Sequence, residues 1–304
     1  MSKIITVFGA TGNQGGSVIT QLLKDSSIAQ EYKIRAVTRD TSKPAAQELV
    51  KKGVEVVTAD LNSKDSLRAA LKASHTVFLV TNYWETANPE VEKSQGKNVA
   101  DVAKELGVQH LIFSSLLNVT ETSKGRLTHV PHFDGKADIE QYIRDSGVPA
   151  TFYLPGYFMS NIERVVQSGQ DGVLTWALPL PNDTKMPLID IQSDTGKFVK
   201  AIIKNRASLL GARIFGAQAF YTPTEILDLI TQVTGKKTQY YHIDEATYKS
   251  YLPESVAQEF LENHLFMQDP GYYGGEGLDK SHETLQDKLV SYKEYIEATG
   301  AFKA

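Results

Sequence analysis

Phe8-Gly9-Ala10-Thr11-Gly12-Asn13-Gln14-Gly15 follows directly on the apolar run Ile4–Phe8 and opens the segment Gln14–Lys24. In that segment Val18, Ile19, Leu22 and Leu23 fall on one face at i, i+1, i+4 and i+5 spacing, the signature of a helix. A strand, a glycine-rich turn and a helix in that order make a phosphate cradle. Gly9 permits the tight turn, Gly12 lets the backbone approach a pyrophosphate, and Gly15 lets helix and strand pack closely. The first N–H groups of the helix and its dipole then favour an anion. Glycines at this spacing alone are a weak signal; the strand before them and the helix after them carry the assignment. The bland alternative is a tight strand-to-helix turn that holds nothing.

Outward from this stretch the chain alternates. Strand-like runs at Ile4–Phe8, Lys33–Thr38, Val54–Ala59, Thr76–Val80, His110–Ser114 and Ala150–Leu154 are separated by helix-like segments at Gln14–Lys24, Ala45–Lys52, Lys64–Leu71, Glu90–Leu106 and Ala137–Ser146. Such alternation predicts a Rossmann-type, doubly wound parallel sheet. After Pro155 the alternation fails: Gly169–Gly172 and Pro179–Pro187 read as loops. Helices follow at Asp194–Lys204, Pro223–Thr234 and Ser255–Met267, and a strand at Gln239–Ile243. The expected division is therefore a dinucleotide-binding domain over residues 1–155 and a smaller α+β part over residues 156–304 that caps the carboxyl ends of the strands, with some segments free to return to the first domain.

Composition narrows the function classes. The chain has 304 residues, a net charge of -4 and a pI near 6.0, which implies no basic face and argues against direct nucleic-acid binding. There is no cysteine, so disulfides, thiolate metal sites and cysteine nucleophiles are excluded. The opening run after Met1-Ser2-Lys3 is too short for a secretory core, and no stretch approaches the length that spans a bilayer. A soluble protein of the cytoplasm is expected, with the nucleus a second location.

The second strand-like run bears on which dinucleotide is held. NAD binders end that strand on an acid that grips both ribose hydroxyls and repels a 2′-phosphate. Here it ends Val37-Thr38-Arg39-Asp40, with Thr38 where the acid is expected. The Arg39 guanidinium can take a phosphate in bidentate fashion, and Lys43 one turn later adds a second charge, which predicts NADP(H). The alternative is a solvated Arg39/Lys43 pair with Asp40 doing the NAD work. Asp60-Leu61 ends the third strand, where a side chain commonly faces the adenine. Thr81-Asn82-Tyr83-Trp84-Glu85 follows the fourth strand and is expected to line the crevice, although Tyr83 and Trp84 also suit plain packing under a loop.

Gly9 to Ser17, Val37-Thr38-Arg39, Val80 to Glu85 and His132-Phe133-Asp134-Gly135-Lys136 together resemble the NmrA-like branch of the atypical short-chain dehydrogenases. Gly147-Val148-Pro149, Leu154 to Phe158 and Gly271 to Glu276 extend the resemblance over nearly the whole chain, and the run around Asn82 is most similar to the NADPH-sensor proteins of that family. The resemblance implies cofactor contacts at Gly9, Thr11, Gly12, Asn13, Gln14, Gly15, Arg39, Lys43, Asp60, Leu61, Thr81, Asn82 and Tyr83. It also implies that Lys136, Tyr157, Phe158 and Asn161 lie near the nicotinamide. One cofactor-contacting lysine of the sensor branch is Ser94 here, with Lys93 beside it.

Ordinary short-chain dehydrogenases place a tyrosine four residues before the lysine, whose charge lowers the phenol pKa so that it can exchange a proton. Counting back from Lys136 gives His132, so the expected proton donor is missing. Ser114 and Ser115 can still hydrogen-bond a carbonyl. His132 admits three readings: an alternative acid or base, a packing residue beside the nicotinamide, or an ordinary loop histidine as His129 is expected to be. Lys136 can orient the ribose through its ammonium; its bland alternative is a first-turn lysine facing solvent. The remaining histidines show no metal-ligand spacing, so no metal is expected.

Two function classes follow. The leading one is an NADP(H)-responsive sensor or regulator that acts through a protein partner, as a monomer or homodimer. The rival is an NADPH-dependent reductase of a small carbonyl, quinone or aromatic compound, with Lys136 as its acid or base and a pocket of Tyr83, Trp84, Tyr157, Phe158 and Met159. A third reading, a transcription co-regulator working through protein contacts, comes from the resemblance alone.

Overall fold

The computed structural model describes residues 2–303, so Met1 and Ala304, the outer limits of the two expected parts, lie outside the described residues. Seven parallel strands form the main sheet: β1 (Lys3–Val7), β2 (Tyr32–Thr38), β3 (Glu55–Thr58), β4 (Thr76–Leu79), β5 (His110–Ser114), β6 (Ala150–Pro155) and β11 (Arg213–Gly216). Their order is β11-β6-β5-β4-β1-β2-β3, so β1 lies between β4 and β2. Two small sheets complete the chain. One joins β7 (Tyr157–Phe158), β10 (Met186–Ile189) and β12 (Ala219–Tyr221); the other joins β8 (Gln167–Ser168), β9 (Leu174–Leu178) and β13 (Thr238–His242).

The helices run in chain order as α1 (Asn13–Lys24), α2 (Ser26–Glu31), α3 (Pro44–Lys51), α4 (Lys64–Leu71), α5 (Pro89–Glu105), α6 (Val119–Thr122), α7 (Pro131–Ser146) and α8 (Met159–Val165). Then come α9 (Ile191–Lys204), α10 (Arg206–Leu209), α11 (Pro223–Thr234), α12 (Glu245–Ser250), α13 (Glu254–Phe266), α14 (Asp279–His282) and α15 (Tyr292–Thr299). No helix among the described residues is long and apolar enough to cross a membrane.

Alternation along the central strands divides the core in two. Val77 and Leu79 of β4, with Leu111 and Phe113 of β5, pack with Val99 and Ala103 of α5 and Ile139 of α7. Phe78 and Ile112 face the other way, against Val18, Ile19 and Leu22 of α1 and Phe198 and Ile202 of α9. Burying each such aliphatic side chain contributes about 1.5–3 kcal/mol, so Val18, Ile19 and Leu22 of the stripe read from the sequence anchor α1, whereas Leu23, expected on the same face, is 37% exposed. The partner of α1 came from beyond Pro155. Gly196 of α9 sits so close that a Cβ there would fall 2.3 Å from the Ser17 carbonyl oxygen, and its N–H donates to Ser17 Oγ at 3.0 Å.

Two expected boundaries moved. β10 begins at Met186, inside the stretch expected to be loop to Pro187, because the three prolines of that stretch mask a buried extended run. The helix expected from Ala137 starts at Pro131, whose fixed φ suits a first helical position. His132 and Lys136 therefore stand one turn apart on one helix, and the loop reading of His132 does not hold.

Candidate functional site

The cradle is built as its glycines require. Gly9 has φ +62°, and a Cβ there would lie 2.7 Å from Val80 Cγ1. The Gly12 N–H donates to the Gly9 carbonyl at 2.9 Å. A Cβ on Gly15 would lie 2.3 Å from Gly9 O and 2.6 Å from Phe8 O, both backbone atoms that cannot yield. Helix α1 opens with no side-chain cap and no acid in its first turn, which leaves its leading N–H groups suited to an anionic ligand. Thr11 and Asn13 are exposed beside it. The loop is held from outside: Gln192 donates to Asn13 Oδ1 at 3.0 Å, and Ser114 donates to Gln14 Oε1 at 2.8 Å. Ser115 instead donates to the buried Glu140 at 2.7 Å, which turns it from any substrate.

At the end of β2, Arg39 is exposed and pairs with Glu85. Asp40 accepts from the Ser42 N–H at 2.9 Å and hydroxyl at 2.6 Å, bonds that hold its carboxyl below the usual range. Lys43 stands exposed at the N-cap of α3. Asp60 is likewise turned to its own loop, accepting from the Asn62 backbone and side chain at 2.9 Å, while Leu61 is half-buried.

Past β4 the residues become deeply buried. Lys136 Nζ donates to Glu92 Oε1 at 2.5 Å, to Thr81 Oγ1 at 2.9 Å and to the Thr81 carbonyl at 3.2 Å. The Thr81 hydroxyl donates in turn to Glu92 Oε1 at 2.7 Å. An ammonium carries three N–H donors, and all of them are engaged. Glu92 is 1% exposed and its second oxygen, Oε2, has no hydrogen-bond partner.

His132 is enclosed in the same way. Its Nε2 lies 3.0 Å from the Asn263 side-chain amide, and its Nδ1 pairs with Glu259. Glu259 also accepts from the Tyr83 hydroxyl at 3.3 Å; burial, then the Glu259 charge, pushes that phenol up to about 12. Trp84 stacks on Phe260 with ring centroids 5.4 Å apart and packs on His132 at 5.0 Å. Next to this aromatic group His129 Nδ1 lies 2.6 Å from Glu262. Tyr157 and Phe158 of β7 and Asn161 of α8 are half-buried, and Met159 at the start of α8 is buried; burial raises the Tyr157 phenol. Asn82 is exposed. Among the described residues no group of His, Asp and Glu side chains is placed to hold a metal ion.

The first sheet thus brings Gly9 to Gly15, Arg39, Thr81 to Tyr83 and Lys136 to its carboxyl edge. The sequence reading missed Glu92, Glu259, Phe260 and Asn263. One signal for Glu92 was present: Glu92, Gly96, Val99 and Ala103 fall at i, i+4, i+7 and i+11, so the acid heads a stripe that is buried throughout.

A fold this complete has relatives. An NmrA-like family domain-containing protein of Dictyostelium discoideum is 33% identical, with 98% of each chain covered. An NmrA-like family domain-containing oxidoreductase of Penicillium ochrochloron is 32% identical over 96% of this chain and 92% of that one. Among solved structures, the negative transcriptional regulator Nmra in complex with NADP superposes with a TM-score of 0.80 at 22% identity, covering 98% of each chain. The profile of the NmrA-like family matches residues 1–298, and the chain belongs to that family.

Proposed function

We propose that this protein binds NADP(H) in the cleft over α1 and acts as a nucleotide-responsive regulator in the cytoplasm or nucleus, its contact with a protein partner depending on occupancy. One observation carries the regulatory half of this reading. The two side chains available for acid–base work are both committed to protein partners: Lys136 to Thr81 and Glu92, His132 to Glu259 and Asn263. A site built for proton transfer keeps its acid within reach of a reacting atom. The nucleotide half rests on the uncapped α1 N-terminus, the glycines that admit no Cβ, and a guanidinium beside the β2 terminus. For occupancy to alter partnering, two conformations must differ in affinity for the nucleotide.

Calorimetry with NADPH and NADH, followed by sedimentation of the protein with and without ligand, tests both halves. Heat on adding NADPH, lost in Arg39→Ala, supports the nucleotide reading. An oligomeric or partner-bound state that ignores saturating NADPH removes the regulator.

A reductase is the second reading, favoured by the oxidoreductase named among the relatives. Bound NADPH would supply a hydride. The chain would then hold an acceptor among Tyr83, Trp84 and Tyr157, and a proton taken from water would replace the absent tyrosine. A screen of NADPH oxidation against quinones and aryl carbonyls separates the two readings: turnover by the wild type favours the enzyme, and its loss in Lys136→Ala bears on the lysine only where that variant is shown to be folded.

A further inference from the structure

The Arg39–Glu85 pair joins two places that the sheet keeps apart. Arg39 follows β2, whereas Glu85 ends a single helical turn, Tyr83–Glu85, that follows β4. Strand β1 lies between them, so the pair arches over the carboxyl end of β1, where the Gly9–Gln14 cradle begins. With neighbouring strands about 4.8 Å apart, the arch spans roughly two strand spacings. The turn that carries Glu85 is also tied to the C-terminal part of the chain. Its first residue, Tyr83, donates to Glu259 at 3.3 Å, and its second, Trp84, stacks on Phe260 at 5.4 Å with planes 3° apart. Three consecutive side chains therefore connect the β2 terminus to α13.

We propose that Glu85 is a specificity determinant of this site: its carboxylate occupies Arg39 until a 2′-phosphate takes the guanidinium over, and the release is passed through Tyr83 and Trp84 to α13. The proposal rests on the nucleotide reading above and gives that reading its route to a partner surface. The physical case is an exchange of anions. Both members are open to water, with side chains 71% and 43% exposed, and ion pairs so exposed are weak. A phosphate offers a bidentate, more highly charged partner. Asp40 does not compete, because its carboxylate is held by Ser42, and Lys43 adds positive charge on the phosphate side. A dinucleotide with a free 2′-hydroxyl brings nothing to exchange, so Glu85 keeps Arg39 and the turn stays tethered.

The test uses the full chain as wild type, Glu85→Gln, Arg39→Ala and the double variant, with calorimetric Kd values for NADP+ and NAD+. Removing the competing carboxylate tightens NADP+ about threefold to fivefold, the equivalent of one exposed ion pair, and leaves NAD+ within about twofold. In the Arg39→Ala background the same substitution changes NADP+ less than about twofold, because there is no guanidinium to contest. Trp84 reports the relay. Adenosine 2′,5′-bisphosphate, which lacks the nicotinamide, shifts tryptophan emission in wild type, whereas 5′-AMP at equal occupancy does not. The shift disappears in Trp84→Phe and in Glu85→Gln, while Trp176, wholly buried, serves as the unchanged background. Equal effects of Glu85→Gln on both dinucleotides, or saturation by the bisphosphate with no change at Trp84, overturns the proposal and leaves nucleotide binding standing. No uptake of either dinucleotide by the wild type removes both.

Discussion

Replacing Lys136 by Met tests whether the buried pair with Glu92 holds the site together. At 2.5 Å and an effective dielectric near 20, the gross attraction is about 7 kcal/mol, most of it offset by taking both charges from water. The two partners are not equally buried: the Lys136 side chain is 13% exposed and that of Glu92 1%. Removing the lysine strands a carboxylate that cannot reach solvent and whose Oε2 already lacks a partner, so Lys136→Met should lower stability by about 3–5 kcal/mol. Glu92→Gln leaves an ammonium that is not wholly buried and keeps its Thr81 bonds, and should lower it by only about 1–2 kcal/mol. The double variant should fall near the milder one, giving a coupling of about 3–5 kcal/mol. Urea unfolding of the four proteins at neutral pH, compared at constant m, measures the cycle. A Lys136→Met no worse than Glu92→Gln, or a coupling below about 0.5 kcal/mol, refutes the reasoning. The outcome also governs the turnover screen, since a variant that unfolds the site loses activity whatever its chemistry.

Gly15→Ala should destabilise the protein by more than about 2 kcal/mol and abolish NADPH heat in calorimetry, because the new Cβ meets backbone oxygens at 2.3 and 2.6 Å. His132→Leu should lower the urea midpoint by the equivalent of about 1–3 kcal/mol, since Glu259 and Asn263 lose their partner. It should leave any NADPH oxidation per folded molecule unchanged; a selective loss of turnover would restore the histidine as a catalyst. Burial pushes the Asp194 carboxyl up to about 6 against the pull of Lys197 and the Val290 N–H. A raised carboxyl contributes stability that is complete below about pH 4 and is lost as pH rises toward 6. Wild type should therefore lose about 2–3 kcal/mol from this group across that window, and Asp194→Asn should flatten the urea-midpoint profile there.

What the sequence made legible follows from how local each signal is. The cradle could be read because a positive φ at Gly9 and a missing Cβ at Gly15 are properties of single residues in a short stretch. The strands of the first half could be read because both their faces are buried, which leaves continuous apolar runs such as Thr76–Leu79. Strands of two or three residues, such as β7, β8 and β12, are too short to show a period and went unseen. The β11 run Arg213–Gly216 belongs to a sheet whose other strands end at Pro155, a pairing that only the tertiary fold creates. At the site, Lys136 was visible through the family resemblance and His132 by counting back four residues from it, but their partners were not. Glu259 and Glu262 look like surface acids of a helix, and only the packing of α13 against His132 and His129 reveals them as buried.

The return of the chain through α9 to β11 has a consequence for how the molecule can be divided. A fragment ending at Pro155 would expose the outer rim of β6, whose backbone groups are otherwise paired from Arg213 to Gly216, and would strip α1 of the helix that nests at Gly196. Such a fragment should aggregate through its bare edge rather than fold as a minimal binding unit. Excision is better aimed at the later stretch beyond Gly216, where the peptide no longer threads the parallel layer.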